Sequence, residues 1–569
     1  MAKINNVATM PYFCQHCDSL DDVLYFCKSK DASPCTSCQQ LLEIQRKISE
    51  TRIMLTKTRV LLNHLKDERP KIKEQANYCH DPFIHRLPME IASTIFKFCI
   101  SDGVIDLGLK GRRLGTQTNH IPLILSGVCR RWRSIAYSDP QLWKNVRITL
   151  YPAYNIAVQP TSTLVKEWLD RTGDLPLSID FHAAEDWEYG EEWRTTKEID
   201  ISQIKEIIYT LKDESHRWLN FNFEGPLSML SCFFHGERDI LQLRTLQLTV
   251  PYKLRSHINT NDIELHQQKL SSLSTDGIPL SALSKFDWNL TNLAMKDASL
   301  VDYLEALRIA PRLIHCTFQD TRGDFDFNVP QNPVVHTRLQ TLKVIHNSSI
   351  FHRKFLNHLS CPALTVLEMR HNTAKREFVM SSIIAFLQKS GCSLIKLSAW
   401  RVGLSVADIT NICQMPTLRS LHLGFFQIDE SNSESIPRVL FNRLAEYSII
   451  QNEKEPRYLP FLIALTLNGV FGTEDWATLP AVFGTSTSSS HQIERHRHAL
   501  KSIAISAAEK AVQNADNSEL YIDEVTLQKI LWLRDSSGVT WRIQRFWKGT
   551  SEDMILSAVK WYHGAKQVP

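Results

Sequence analysis

Nine short segments of one pattern, set at nearly regular intervals from Leu243 onward, leave few folds open. They read LRTLQLTV from Leu243, LSSLS from Leu270, LTNLAM from Leu290, LIHCTF from Leu313, LQTLKV from Leu339, LTVLEM from Leu364, LIKLSAW from Leu394, LRSLHL from Leu418 and LIALTL from Leu462. Successive starts lie 27, 20, 23, 26, 25, 30, 24 and 44 residues apart. In L-x2-L-x-L each inward leucine packs against the same position of a neighbouring coil, and the stretch between segments returns the chain, often as a helix such as Val301–Ala310 or Ser381–Lys389. Ordinary α/β packing does not predict nine segments at this spacing.

The period resembles that of leucine-rich repeats, irregular here because most copies lack the asparagine of the strict consensus. The long last interval is read as holding an insertion, Asp429–Arg457. Upstream, Arg147–Leu150 is expected as a strand, Leu164–Thr172 as a helix ended by Gly173, Pro176–Ile179 as the start of a strand, Ile204–Leu211 as a helix and Arg217–Phe223 as a strand. Ala184–Trp193 and the Ser-rich Gly484–Ser490 are expected as loops, the latter running into a hydrated stretch with His491, His496 and His498. Leu500–Ile505 and Thr540–Gln544 are expected as closing strands and Ala507–Asn514 as a helix, with Trp561-Tyr562-His563 as a terminal cap.

The segment Asp81–Val146 differs in kind. Pro88 stands where a first helical turn tolerates a residue without an N–H, and Ile91, Ile95 and Cys99 follow at i, i+4, i+8 with Leu87 just ahead. Leu125, Val128, Cys129, Trp132, Ile135 and Ala136 continue an apolar helical spacing, Arg130, Arg131 and Arg133 take the other face, and Asp139-Pro140 ends the helix ahead of Leu142 and Trp143. Two or three short helices cannot bury Phe96, Phe98, Trp132 and Trp143 unaided, which implies a partner. The order Leu87-Pro88, Glu90-Ile91, Ile95-Phe96, then Val128-Cys129-Arg130, Trp132, Ser138, Pro140, Leu142 and Trp143 resembles the F-box, the helical module that docks on the Skp-type adaptor of a cullin–RING ubiquitin ligase. The departure is a Gly-rich insertion, residues 101–120, of a kind found in the large fungal F-box families. The resemblance implies that Leu87, Pro88, Ile91, Ile95, Phe96, Val128, Cys129, Trp132, Leu142 and Trp143 bind the adaptor.

Ahead of this module, Cys14-x2-Cys17 and Cys35-x2-Cys38 are spaced as the thiolates of a structural zinc site, with Cys27 as a further candidate ligand. A floppy, thiol-bearing tail is the alternative; a RING finger needs ligands for two metals, which this segment does not supply. From Gln39 to Gln75 apolar residues fall on alternating three- and four-residue steps through Leu41, Ile44, Ile48, Leu55, Leu62, Leu65 and Ile72, a seam suited to self-association as a coiled coil and broken by Thr51, Thr58 and Arg69.

The fold class expected is thus α+β: a cysteine-rich segment (1–38), an amphipathic helix or coiled coil (39–78), an all-helical F-box (81–146), and an irregular leucine-rich-repeat α/β solenoid, horseshoe-like, with a C-terminal cap (147–569). With 65 Lys and Arg against 61 Asp and Glu, the net charge of +4 over 569 residues gives no electrostatic case for a nucleic-acid binder. No run of 18 or more apolar residues marks a membrane span, and the N-terminal residues lack the apolar core of a signal peptide, so an intracellular protein, cytoplasmic or nuclear, is expected. Neither G-x-S-x-G, G-x4-G-K-[ST], H-E-x2-H nor a dinucleotide fingerprint occurs, and no catalytic residues or catalytic cofactor are expected. The function expected is that of a substrate receptor, joined to cullin through the adaptor and holding a protein of unknown identity on the repeats. The alternative is a scaffold or nucleic-acid-associated protein using the cysteine segment and the basic helix, the Gln39–Gln75 stretch whose polar faces carry more Lys and Arg than acids.

Overall fold

The computed structural model describes residues 36–80, 87–99, 105–106, 121–150, 162–183, 205–225, 227–234, 242–251, 269–283, 286–319, 332–371, 379–427, 434–450, 453–483, 500–508, 522–536, 538–547 and 550–565. The expected insertion apart from Ile105-Asp106, the two loops, the three histidines, and Cys14, Cys17, Cys27 and Cys35 lie outside these residues. The chain divides into two compact units, Met1–Cys99 with Pro122–Ser138, and Ile100–Ile121 with Asp139–Pro569.

Four helices make up the described part of the first unit: α1 (Thr36–His80), α2 (Met89–Cys99), α3 (Ile121–Val128) and α4 (Arg130–Ser138). At 45 residues, α1 extends about 68 Å and runs beyond the expected bounds at both ends. Its seam residues Leu41, Ile44, Ile48, Leu55, Leu62, Leu65 and Ile72 are all exposed. Arg46 bridges Glu43 and Glu50 at helical spacing, while the Thr51 and Thr58 hydroxyls donate to the carbonyls of Lys47 and Met54 on their own helix.

The single helix expected through Leu125–Ala136 is two. The break falls at Cys129, whose carbonyl accepts from Arg133 N–H at 3.0 Å and whose sulfur accepts from Trp132 N–H at 3.4 Å, so the thiol caps α4 as a serine hydroxyl would. The Arg133 guanidinium in turn satisfies the Ser126 carbonyl near the end of α3, at 2.9 Å. Apolar spacing runs unbroken through this site, which is why periodicity alone joins the two helices.

The second unit is built on a sixteen-stranded sheet in which each strand lies beside the one that precedes it in the sheet's sequence order. All neighbours are parallel except the last pair, Thr540–Trp547 with Thr550–Asp553, which is antiparallel. Each of the nine leucine segments supplies one strand, beginning two residues after its first leucine: Thr245–Thr249, Ser272–Asp276, Asn292–Lys296, His315–Gln319, Thr341–His346, Val366–His371, Lys396–Leu404, Ser420–Gln427 and Ala464–Val470. The second leucine position stays in register throughout, Leu246, Leu273, Leu293, Cys316, Leu342, Leu367, Leu397, Leu421 and Leu465 standing side by side. All nine are buried. Such an order is compatible with a solenoid.

One backbone device sets this register. The carbonyl of the residue after each first leucine accepts from two successive amides of the following coil: Ile314 and His315 both donate to Thr291, Gln340 and Thr341 to Ile314, Arg419 and Ser420 to Ile395. Helices return the chain, and from Leu300–Ile309 through Ser349–Asn357, Met380–Ser390, Val406–Cys413, Ile436–Leu444 and Thr473–Thr478 each packs on the next. Ser299, Ser348, Ser405 and Ser435 cap four of them, Ser299 with Asp302 and Ser405 with Asp408 as full capping boxes. Upstream, the helix Ser162–Arg171 runs into Gly173 at φ 54°, a left-handed turn that favours glycine.

Two further expectations are corrected. Among the described residues, the supposed insertion Asp429–Arg457 contains a returning helix, Ile436–Leu444, started by Ser435 and Pro437, and what is additional there is the hairpin Tyr447–Ile450 with Glu453–Pro456. Ala507 and Ala508 are not helical: they finish the strand Ser502–Ala508, held in parallel register against Arg545 and Phe546.

Three histidines are buried together in the middle coils. His346 and His371 are register partners on adjacent strands, His346 stacks on Phe351 at 4.0 Å between ring centroids, and His352 is fully buried. Burial, aided by the neighbouring rings, holds His346 down to about 4 and His352 to about 3. The unfolded chain therefore takes up these protons first, so stability falls as pH drops from about 6.5 towards 4. Thermal melting at pH 7.5 and 5 should show a loss that is smaller in His352→Leu than in the wild type; equal losses would contradict this. In the sheet, Leu421→Ala should cost about 2–5 kcal/mol of unfolding free energy, measured in urea.

Candidate functional site

The helices α2, α3 and α4 close around a small core. Pro88 is the N-cap of α2, its carbonyl accepting from Ala92 N–H at 3.1 Å. Ala92 and Phe96 face inward from α2, Leu125 from α3, and Ile135 and Ala136 from α4. The Phe96 ring meets Trp132 at 5.0 Å in a tilted pair, worth about 0.5–1.5 kcal/mol beyond its area. Arg131 reaches back across the unit to donate to the Leu87 carbonyl at 2.9 Å. That bond fixes the Leu87-Pro88 segment against α4. Arg130 pairs with Glu74 of α1 at 3.0 Å.

The apolar residues of α2 thus fall on two faces. Ala92 and Phe96 are the inner one, Phe96 only 1% exposed; Ile91, Ile95 and Phe98, at i, i+4 and i+7, are the outer one, with Phe98 80% exposed. Leu123, Ile124 and Val128 of α3 are exposed as well. Of the ten residues expected to bind a partner, Pro88, Ile91, Ile95 and Val128 are exposed and Leu87, Cys129 and Trp132 half-buried. Phe96, Leu142 and Trp143 are buried and offer no surface. Leu142 and Trp143 belong to the second unit, where Trp143 packs edge-on against Trp168 at 4.6 Å, accepts from its indole N–H at 3.0 Å and lies under the Arg171 guanidinium. Met89, Leu123 and Ile124 were not anticipated as surface residues, and Phe98, counted among the aromatics that short helices cannot bury unaided, was not placed in the partner-binding set. Phe98 was within reach of the sequence, since it lies seven residues from Ile91 on the same helical face.

Residues 84–149 match the family model described as F-box-like. None of the curated proteins matches the chain. The class defined is therefore a protein bearing an F-box-like domain, and that domain suggests an adaptor-binding role of the kind found in cullin–RING ligases.

The expected zinc ligands fall outside the described residues, except that Cys38 lies within α1. Among the described residues no group of three or more His, Cys, Asp or Glu side chains is placed to hold a metal ion, and no helix is long and apolar enough to cross a membrane.

Phe96→Ala should destabilise the first unit by about 3–5 kcal/mol, as a truncated core aromatic, whereas Phe98→Ala should leave its urea transition unmoved; a comparable loss for both would contradict the two-faced reading of α2.

Proposed function

We propose that this protein is a non-catalytic substrate receptor of a cullin–RING ubiquitin ligase. The observation that carries this is the F-box-like match on a segment whose first helix, α2, turns an apolar face outward. The docking set is Pro88, Ile91, Ile95, Phe98, Leu123, Ile124 and Val128, with Leu87 and Trp132 at its margin; Phe96 supports it from beneath. The Skp-type adaptor covers this face and carries cullin. The sheet-bearing second unit, read as an irregular leucine-rich-repeat solenoid, then holds the protein substrate. Catalysis is positional: a substrate lysine kept near a charged conjugating enzyme gains effective concentration without a reactive group on this chain. The working compartment is the cytoplasm or nucleus.

The N-terminal cysteines add a structural zinc in this reading, and α1 a self-associating handle. Co-purification with a Skp-type adaptor tests the main proposal. Wild type should bind; Ile91→Asp with Ile95→Asp should abolish binding while the urea transition of the repeats is unchanged. A folded wild type that binds no adaptor would sink the receptor reading in favour of a scaffold built on the cysteine segment and the basic helix. Metal analysis should find about one zinc per chain, as a four-thiolate site requires, lost in Cys14→Ser with Cys35→Ser; zinc-free protein would remove the metal.

A further inference from the structure

The apolar seam of α1 is exposed along its length, and so are Met54 and Leu61 beside it. A helix in water gains most of its stability by packing such a face against something. Heptad positions can be assigned to this one without a gap: Leu41, Ile48, Leu55 and Leu62 at a, and Ile44, Thr51, Thr58 and Leu65 at d, over about 36 Å. The seam proper stops there, since Arg69 takes the next a position and Pro70 has no N–H for the Lys66 carbonyl. Thr51 and Thr58 are no obstacle to covering it. Each hydroxyl already donates to the carbonyl four residues back, at 2.7 and 2.8 Å, so burial leaves no orphan donor.

The flanks of the seam decide how a second strand can lie on it. At e stand Gln45, Arg52, Arg59, Lys66 and Lys73, and no acid lies three or four residues from any of the four cations. At g stand Gln40, Lys47, Met54, Leu61 and Glu68. An antiparallel pair of these helices sets e against e, one cation row against the other. A parallel pair sets each g against the e of the next heptad on the other copy. Gln40 then meets Gln45, Met54 and Leu61 lie against the apolar stems of Arg59 and Lys66, and Glu68 meets Lys73. The one like-charged meeting, Lys47 with Arg52, is eased by Glu43, which approaches Lys47 to 3.4 Å.

We propose that α1 pairs with α1 of a second copy of this chain as a parallel, in-register, two-stranded coiled coil. The inference deepens the receptor reading, in which α1 is a self-associating handle, and rests on it. Its consequence is directional. Each chain passes from the C-terminal end of α1 into its F-box-like module, where Glu74 of α1 holds Arg130 of α4. A parallel pair therefore carries both adaptor-docking faces at one end of the coil, and brings two substrate-holding units into one particle.

The test uses the full chain. Sedimentation equilibrium should return the mass of two chains for wild type and of one chain for Leu55→Asp with Leu62→Asp. Ile44→Cys and Leu62→Cys, prepared separately and oxidised, should each give chains joined at the substituted position by peptide mapping. Arg52→Glu, which puts an acid opposite Lys47, should tighten the association by about threefold or more. A monomeric wild type would overturn the pairing. Cross-linking only in a mixture of the Ile44→Cys and Leu62→Cys chains would show an antiparallel pair and overturn the orientation, as would weaker association in Arg52→Glu. Adaptor binding measured on the same preparations separates the outcomes: a monomer that binds adaptor defeats this inference alone, and a folded wild type that binds none defeats the receptor reading.

Discussion

The second unit depends on one repeated hydrogen-bond arrangement, in which a single carbonyl of one coil receives two successive amides of the next. The Thr291 carbonyl takes Ile314 and His315 at 2.8 and 3.0 Å, and the same geometry recurs from Arg244 to Ile463. Buried backbone groups must be paired, so each coil can join the sheet at one offset only. The leucine ladder follows from that offset. Variation in coil length, from 20 to 44 residues between starts, is absorbed away from the strands, in helices and in the hairpin after Ile436–Leu444.

In the first unit the organising constraint is a helix with apolar residues on two sides. Phe96 holds α2 against Trp132, and because that contact is internal, Ile91, Ile95 and Phe98 are left outside as a preformed face. The division also separates two kinds of residue that a motif lists together. Phe96 and Trp143 are buried, one in each unit, while Ile91 and Ile95 stay exposed.

Much of this was legible in advance where a physical repeat writes itself into the side chains. All nine leucine segments became adjacent strands because L-x2-L-x-L records which side chains are buried, and burial is what the sheet needs. The helix ending at Gly173 and the strand after Pro176 were readable from backbone preference. The break at Cys129 was not, since a thiol is seldom a cap and the apolar spacing passes straight through it. Nor could spacing say which face of α2 is inner: Ile91 and Phe96 are equally apolar, and only the placement of Trp132 decides between them. The seat of the Trp400 indole was hidden for another reason, because it lies over Gly424, its register partner on the next strand, which has no side chain to notice.

The sheet ends at both sides in its shortest strands, the two-residue Ile105-Asp106 and the four-residue Thr550–Asp553, the latter reversed in direction. A long parallel stack with an open flank would be a template for any extended chain, including another copy of itself. Among the described residues each flanking strand is short and carries aspartate, joined by glutamate at the far side. A sheet made by adding one coil to the next thus has, at each flank, a strand that gives an extended chain little to pair with.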